Sequence, residues 1–387
     1  MKLDSFFTIV DVKGSKYILP YGPNAAQYKS GVKVDETGLV ILEGLEKGLW
    51  GDELTDYVLS VYELGTDMRE QVSSDISEFC RELSVRGILN ENDVDLLMIP
   101  VKKHYVNIAG INIGVVCDEE VYHERFRDFE VESDEISDFV PDIVFNCVNG
   151  ELLHHSYGGV ILKNRYADVY ECDEDFTLGF TSEMYKSVSA CVIRKAEDVV
   201  DVYYSEGGTG DLKSEIFDAM RMAFFYHVAK RGMHCLHSVS ILYNNKAWLF
   251  SGPSGTGKST HTAIWNRVFD TPILNGDVNL IAIAGGRPVI YGIPWCGTSE
   301  TYTTSAYELG GVVLLKQSKN NRVVKMEDDE KVINVANRFF SPNWKKEHVA
   351  TTIEFASELV DKILVCRLEC NMEDEAAATI KRFIDKN

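Results

Sequence analysis

Gly252-Pro253-Ser254-Gly255-Thr256-Gly257-Lys258-Ser259 is the stretch on which the fold turns. It fits the pattern G-x-x-x-x-G-K-[ST] in full. The apolar run Ala247-Trp248-Leu249-Phe250 enters it, and a helical stretch from Thr260 to Val268 leaves it. That strand–loop–helix setting is what a phosphate-cradling Walker A loop, or P-loop, requires. Glycines let successive backbone N–H groups turn inward without a Cβ in the way, forming a nest for an anion. The helix start adds unsatisfied N–H groups and the positive end of its dipole. Lys258 then places a cation between β- and γ-phosphates, and the Ser259 hydroxyl faces Mg²⁺. The expected nucleotide-binding set is Gly252, Ser254, Gly255, Thr256, Gly257, Lys258, Ser259 and Thr260, with ATP or GTP and Mg²⁺ as cofactors.

Working upstream, His237-Ser238-Val239-Ser240-Ile241-Leu242-Tyr243 reads as a strand, and Asn244-Asn245 as a tight turn into the strand Lys246 to Phe250. A hairpin there gives the loop-bearing strand an antiparallel neighbour, whereas the usual nucleotide-binding sheet is mostly parallel. Downstream, Pro272-Ile273-Leu274 reads as a strand followed by Asn275-Gly276-Asp277, and later comes Gly292-Ile293-Pro294-Trp295. This order, with His237 leading the hairpin, resembles the HPr kinase/phosphorylase family and its relative phosphoenolpyruvate carboxykinase. The resemblance covers about residues 215–318, and loosely the chain from 104 onward. It implies an α/β kinase domain with a mixed sheet and flanking helices. It also implies that Lys258 and Ser259 hold phosphates and metal, that Asp277 is a Mg²⁺ ligand, and that His237 supports the reacting centre. Lys258, Asp277 and His237 are the expected catalytic residues, and Ser259 and Asp277 the metal ligands. One position departs from the family. It carries two adjacent aspartates, the first a base for the hydroxyl proton; in one register that first position is Gly276, and in a register shifted by one residue Asp277 takes the base position at the expense of its metal-ligand role.

The first ninety residues read as a small α+β unit. Phe6 to Val10 and Lys16 to Leu19 look like a hairpin around Gly14-Ser15. Asp35 or Thr37 caps a helix carrying Leu39, Ile41, Leu42 and Leu45, with Gly48 as its stop. Leu54, Tyr57, Val58 and Val61 repeat the spacing. Val72, Ile76, Phe79 and Leu83 line one face of a third helix. Val34 to Leu45, with the helix that ends Phe79-x-x-x-Leu83-x-x-x-Gly87-Ile88-Leu89, resembles the PqqD family over about residues 1–92. That family implies a winged-helix-like module whose hairpin edge takes the leader of a ribosomally made precursor peptide as an added strand. The expected organisation is therefore 1–92 as peptide-recognition domain, 93–103 as linker and 104–387 as P-loop domain.

Composition bounds the rest. The chain has 387 residues, 45% apolar and 26% charged, with a net charge of −21. Such an acidic surface disfavours duplex nucleic acid and anionic membrane as partners. No run approaches the roughly 18 apolar residues of a membrane span. The nine cysteines form no C-x-x-C pair, which points to reduced thiols in a cytoplasm. His234-Cys235-x-His237 lacks a second ligand pair for zinc. Helix 211–231 should bury Ile216, Met220, Ala223, Phe224 and His227. Trp295 reads equally as a wall of a substrate loop or as core. Together these give an expected ATP-dependent kinase acting on a hydroxyl of a precursor peptide. A non-catalytic nucleotide-binding delivery protein and a small-molecule kinase stay open as alternatives, as does a homo-oligomer.

Overall fold

The computed structural model describes residues 7–20, 32–85, 88–89, 103–132, 136, 139–150, 152, 159–171, 175–194, 198–205 and 207–387. It is a mixed α/β structure with several sheets. The chain divides into two compact units. One comprises Met1–Lys102, Cys147–Ala190 and Tyr203–Thr209, the other Lys103–Asn146, Cys191–Val202 and Gly210–Asn387. Of the expected linker, only Lys103 is among the described residues, and it opens a strand.

In the first unit, β1 (Phe7–Val12) and β2 (Ser15–Pro20) pair antiparallel, and β3 (Val32–Val34) pairs with β2. The turn is Lys13-Gly14, one residue earlier than expected from Gly14-Ser15. Both residues have positive φ, 54° and 84°, which matches the twist of a two-residue hairpin. The Gly14 N–H donates to Asp11 Oδ1 at 2.9 Å, fixing the bend. Three helices follow, α1 (Glu36–Glu46), α2 (Gly51–Val61) and α3 (Arg69–Val85). Asp35 is the cap of α1, accepting from the Gly38 N–H at 2.8 Å. Gly38 is a close approach: a Cβ there would come within 2.8 Å of both Val34 and Phe79. Leu42, Leu45, Leu54, Val58, Val72, Ile76 and Leu83 are buried in one core with Ile18, Ile88 and Leu89. The unit also holds a meander of β7 (Gly159–Lys163), β8 (Ala167–Glu171) and β9 (Asp175–Phe180).

In the second unit, β4 (Lys103–Ile108) and β5 (Ile111–Val116) form a hairpin, and β5 runs parallel to β6 (Ile143–Asn149). Parts of β10 (Val188–Arg194) and β11 (Val199–Tyr204), residues 191–194 and 199–202, also belong to this unit. Helix α4 (Leu212–Lys230) is capped by Asp211 and buries the expected face, Ile216, Met220, Ala223, Phe224 and His227.

The main sheet is built on two long strands, β12 (His234–Tyr243) and β17 (Ala306–Gln317), each divided between partners. At one end β12 pairs with β15 (Val278–Ala284), which hairpins into β16 (Arg287–Tyr291) and on to β17. At the other end β12 pairs antiparallel with β13 (Lys246–Ser251) and with β14 (Ile273–Asn275). Strand β13 then pairs parallel with β17, which pairs parallel with β19 (Leu364–Cys370). The short strand β18 (Arg322–Val324) closes that side, antiparallel to β19. The loop-bearing strand thus has the antiparallel neighbour that the hairpin predicts, and a parallel one on its other side.

Both faces of this sheet are covered. Leu249, Val312 and Leu314 face a core shared with α7 (Lys346–Val360). Their neighbours Phe250, Val313 and Leu315 face another, shared with α5 (Lys258–Phe269) and α8 (Asp374–Ile384). The period-two alternation of strands makes that division.

Among the described residues, no helix is long and apolar enough to cross a membrane. The described cysteines form no disulfide with one another.

Candidate functional site

The loop after β13 has the shape its glycines permit. Gly255 and Gly257 sit at φ 76° and 92°, the left-handed region that side chains other than glycine rarely adopt. Gly252 is a close approach, since a Cβ there would come within 2.8 Å of Thr256 Oγ1 and 3.0 Å of the Leu315 carbonyl. Thr256 Oγ1 donates to the Pro253 carbonyl at 2.7 Å, and Gln317 Nε2 donates to the Gly255 carbonyl at 3.0 Å. These bonds brace the bend from inside and from β17. Gly257 stands at the start of α5 without a side-chain cap. The helix therefore presents its first N–H groups to the hollow, the arrangement that receives anions.

Lys258 folds back under this loop, with Nζ 3.3 Å from the Gly252 carbonyl. Burial lowers its affinity for a proton, and Arg338 adds to that, while Asp277 opposes. Ser259 and Thr260 lie exposed on the first turn of α5, and Ser254 is exposed on the loop.

Asp277 and His237 are brought together. Strand pairing sets His237 opposite Val278, and His237 Nε2 lies 3.4 Å from Asp277 Oδ1. The His237 ring stacks on Phe340 at 5.0 Å, and its backbone N–H donates to the Arg338 carbonyl at 2.9 Å. Burial acts to raise the Asp277 carboxyl. The bond and charge of His237, with Arg221 and Lys258, outweigh it and hold the group below its ordinary value. Asp277 is thus an anion facing the lysine of the loop.

Asn275 holds that aspartate in place. Its Oδ1 accepts from the N–H groups of Asp277 and Val278 at 3.0 and 3.1 Å, and the side chain is buried. The segment after β16 wraps the same carboxylate, since a Cβ at Gly297 would meet Asp277 Cβ at 2.9 Å. Trp295 belongs to the core. It is 1% exposed, its Nε1 donates to the Phe217 carbonyl at 3.0 Å, and it packs against Phe126, Phe217 and Phe224. The reading of Trp295 as a substrate wall is set aside for that reason.

Three charged residues near the site carry no sequence signal. Arg221 and Asp218, one turn apart on α4, lie 3.4 Å from each other, and the charge of Arg221 reaches Asp277. Burial raises the Asp218 carboxyl, with Asp277 adding to the rise. Arg338 lies after α6 (Asp328–Ala336) and acts on Lys258. Only the fold brings these positions together. His234 turns away from the site to bond Ser341 Oγ at 2.7 Å, and among the described residues no cluster of His, Cys, Asp and Glu is suited to a metal.

No known protein family and no curated protein matches this sequence. Among solved structures, the Hpr(Ser) kinase/phosphatase from Coxiella burnetii is similar over 39% of this chain and 93% of that chain. The identity is 8% and the TM-score 0.24. A likeness of that size carries no weight beside the geometry of the loop.

Proposed function

We propose that residues 104–387 form a P-loop phosphotransferase, drawing on ATP or GTP, and that the chain phosphorylates a hydroxyl on a peptide. The observation that carries this reading is the meeting of three parts: a loop with two left-handed glycines, a lysine beneath it, and an Asp277–His237 pair facing that lysine. Lys258 would hold the β- and γ-phosphates, and the N–H groups of α5 would take their oxygens. Ser259 and Asp277 offer two hard oxygen donors. That suits Mg²⁺, which takes few protein ligands and completes its shell with water and phosphate oxygens. When bound, the ion neutralises charge on the phosphates. His237 would orient Asp277 rather than touch the nucleotide.

On this reading, residues 1–92 form a winged-helix-like, PqqD-like module that grips the leader of a precursor peptide, 93–103 a linker and 104–387 the kinase domain. An edge strand such as β1 offers unpaired backbone groups to an extended peptide. Holding leader and core on one chain raises the local concentration of the accepting hydroxyl to roughly millimolar. The test is incubation of the full chain with nucleotide, Mg²⁺ and candidate leader-bearing peptides, read as a phosphate mass shift. Absence of any shift, with nucleotide binding intact, removes the transfer claim.

One observation favours a second reading, in which nucleotide gates peptide delivery without transfer. Gly276 stands where the resembled family keeps its base. General-base catalysis typically contributes about 10²–10⁴-fold. Tight nucleotide binding without turnover would select this reading.

A further inference from the structure

A cleft of about 430 Å³ opens beside the loop, between the start of α5 and the ends of β17 and β19. We propose that it seats the nucleoside half of the nucleotide, base and ribose, while the phosphates lie over Lys258. The proposal rests on the P-loop reading and names what that reading leaves unassigned.

Topology places the cleft. Strands β13, β17 and β19 run parallel, so their carboxyl ends share one edge of the sheet. Ligands of α/β sheets bind in the crevice outside those ends. The polyphosphate has two directions to leave the loop. One is toward Asp277 and His237, the side of β12 and β14 and of the terminal phosphate. The cleft is the other, across β17 and β19. Its volume falls within the roughly 300–1,000 Å³ of small-molecule sites.

The wall suits a flat ring with a polar edge. Met372 is 60% exposed, and its Cε lies 3.6 Å from where a Cβ on Gly257 would stand. An exposed thioether directly over the loop is an apolar face waiting for cover. His261 also lines the cleft and is 3% exposed. Its Nε2 accepts from Trp265 Nε1–H at 3.2 Å, so the neutral ring carries its proton on Nδ1. That Nδ1–H has no acceptor among the described residues. Buried donors are ordinarily satisfied, and this one, itself closed to solvent, is left over in the wall beside the cleft. Gln317, tied to the Gly255 carbonyl, joins the cleft wall to the loop, so filling one part steadies the other.

The test is calorimetry on the full chain with the Mg²⁺ complexes of ATP, GTP and inorganic tripolyphosphate, in wild type and Met372→Ala. A purine nucleotide is expected to bind at least about tenfold tighter than tripolyphosphate. Met372→Ala should weaken that nucleotide by about 3–10-fold and leave tripolyphosphate unchanged. Equal affinity of nucleotide and tripolyphosphate, or equal weakening of both by Met372→Ala, overturns the cleft while the P-loop reading stands. No binding of any of the three removes the P-loop reading and the cleft together. Photolabelling by an azido-purine triphosphate gives a second readout. Label within residues 316–319 or 370–373 supports the placement, and label confined elsewhere overturns it.

Discussion

The side chain of Ser299 fills the space that a side chain at Gly276 would need. A Cβ at 276 would lie 1.8 Å from Ser299 Oγ and 2.4 Å from Ser299 Cβ. The serine is held there: its Oγ donates to the Cys296 carbonyl at 2.8 Å, and the Gly276 N–H donates to the Thr301 carbonyl at 3.1 Å. Packing therefore works against any side chain at position 276 while Ser299 stays in place.

Gly276→Asp alone is expected to lower stability by about 1–3 kcal/mol, the usual cost of overpacking, without raising phosphate transfer. Gly276→Asp with Ser299→Gly should recover most of the urea midpoint. In a chain that transfers slowly for want of a base, the double variant should gain up to about 10²-fold in rate. A double variant that folds, binds nucleotide and transfers no faster would show that the base is not what limits this site.

Lys258→Ala tests the cradle itself. The ammonium is partly desolvated beneath the loop and faces Asp277, so its removal leaves a carboxylate opposite the phosphates with no lysine between them. Transfer or hydrolysis should fall by about 10²–10³-fold, the scale for deleting one charge-stabilising donor. The thermal midpoint should stay close to wild type, because the bond from the lysine to Gly252 is long, at 3.3 Å. Unchanged nucleotide affinity in this variant would show that the loop does not hold phosphates.

The loop is legible in the sequence because its residues are contiguous and each acts locally, glycine through left-handed backbone, lysine through charge, the helix start through its N–H groups. The same holds for Asp35 as a cap and for the buried face of α4, where a period of 3.6 is written in the chain. The turn at Lys13-Gly14 falls one residue from its expected place, because the left-handed conformation at Lys13 has no signature of its own. Asp218, Arg221 and Arg338 are invisible in the sequence, since separated segments converge only through the sheet and α4. Trp295 is ambiguous there for a related reason: an aromatic residue reads alike as wall or core until its Nε1 finds the Phe217 carbonyl.

Acid should weaken the fold in a defined window. His234 and His261 are buried, and burial pushes each down to about 4, from an ordinary 6.5. Unfolded, these rings take up protons as pH falls past about 6.5; folded, they resist until about 4. The unfolded state gains protons first, so stability is full above about 6.5, declines below it and levels near 4. By about pH 5 each ring costs roughly 2 kcal/mol. Urea midpoints measured from about pH 7.5 to 4.5 should fall through this range. A flat profile between about pH 6.5 and 5 would contradict the burial of the two rings.

The peptide-recognition reading makes its own prediction at the hairpin edge. The two residues that flank the Lys13-Gly14 turn, Val12 and Ser15, form a hydrogen-bonded pair, and such pairs alternate with non-bonded ones along the strands. Counting back, Val10 and Thr8 also bond across to β2, while Asp11 and Ile9 turn their N–H groups away from it. Strand β1 is at the edge of the three-stranded sheet, so these N–H groups are the ones an added strand would use. Ile9→Pro deletes such a donor and spares the β1–β2 ladder. Affinity for a leader peptide should drop by about tenfold or more, with nucleotide affinity unchanged, since a lost backbone bond leaves an unpaired carbonyl on the peptide. Thr8→Pro, which breaks the ladder, should instead lower the thermal midpoint. If Ile9→Pro binds leader as wild type does, the peptide does not add at β1, and the edge at β3 becomes the remaining place for it in this sheet.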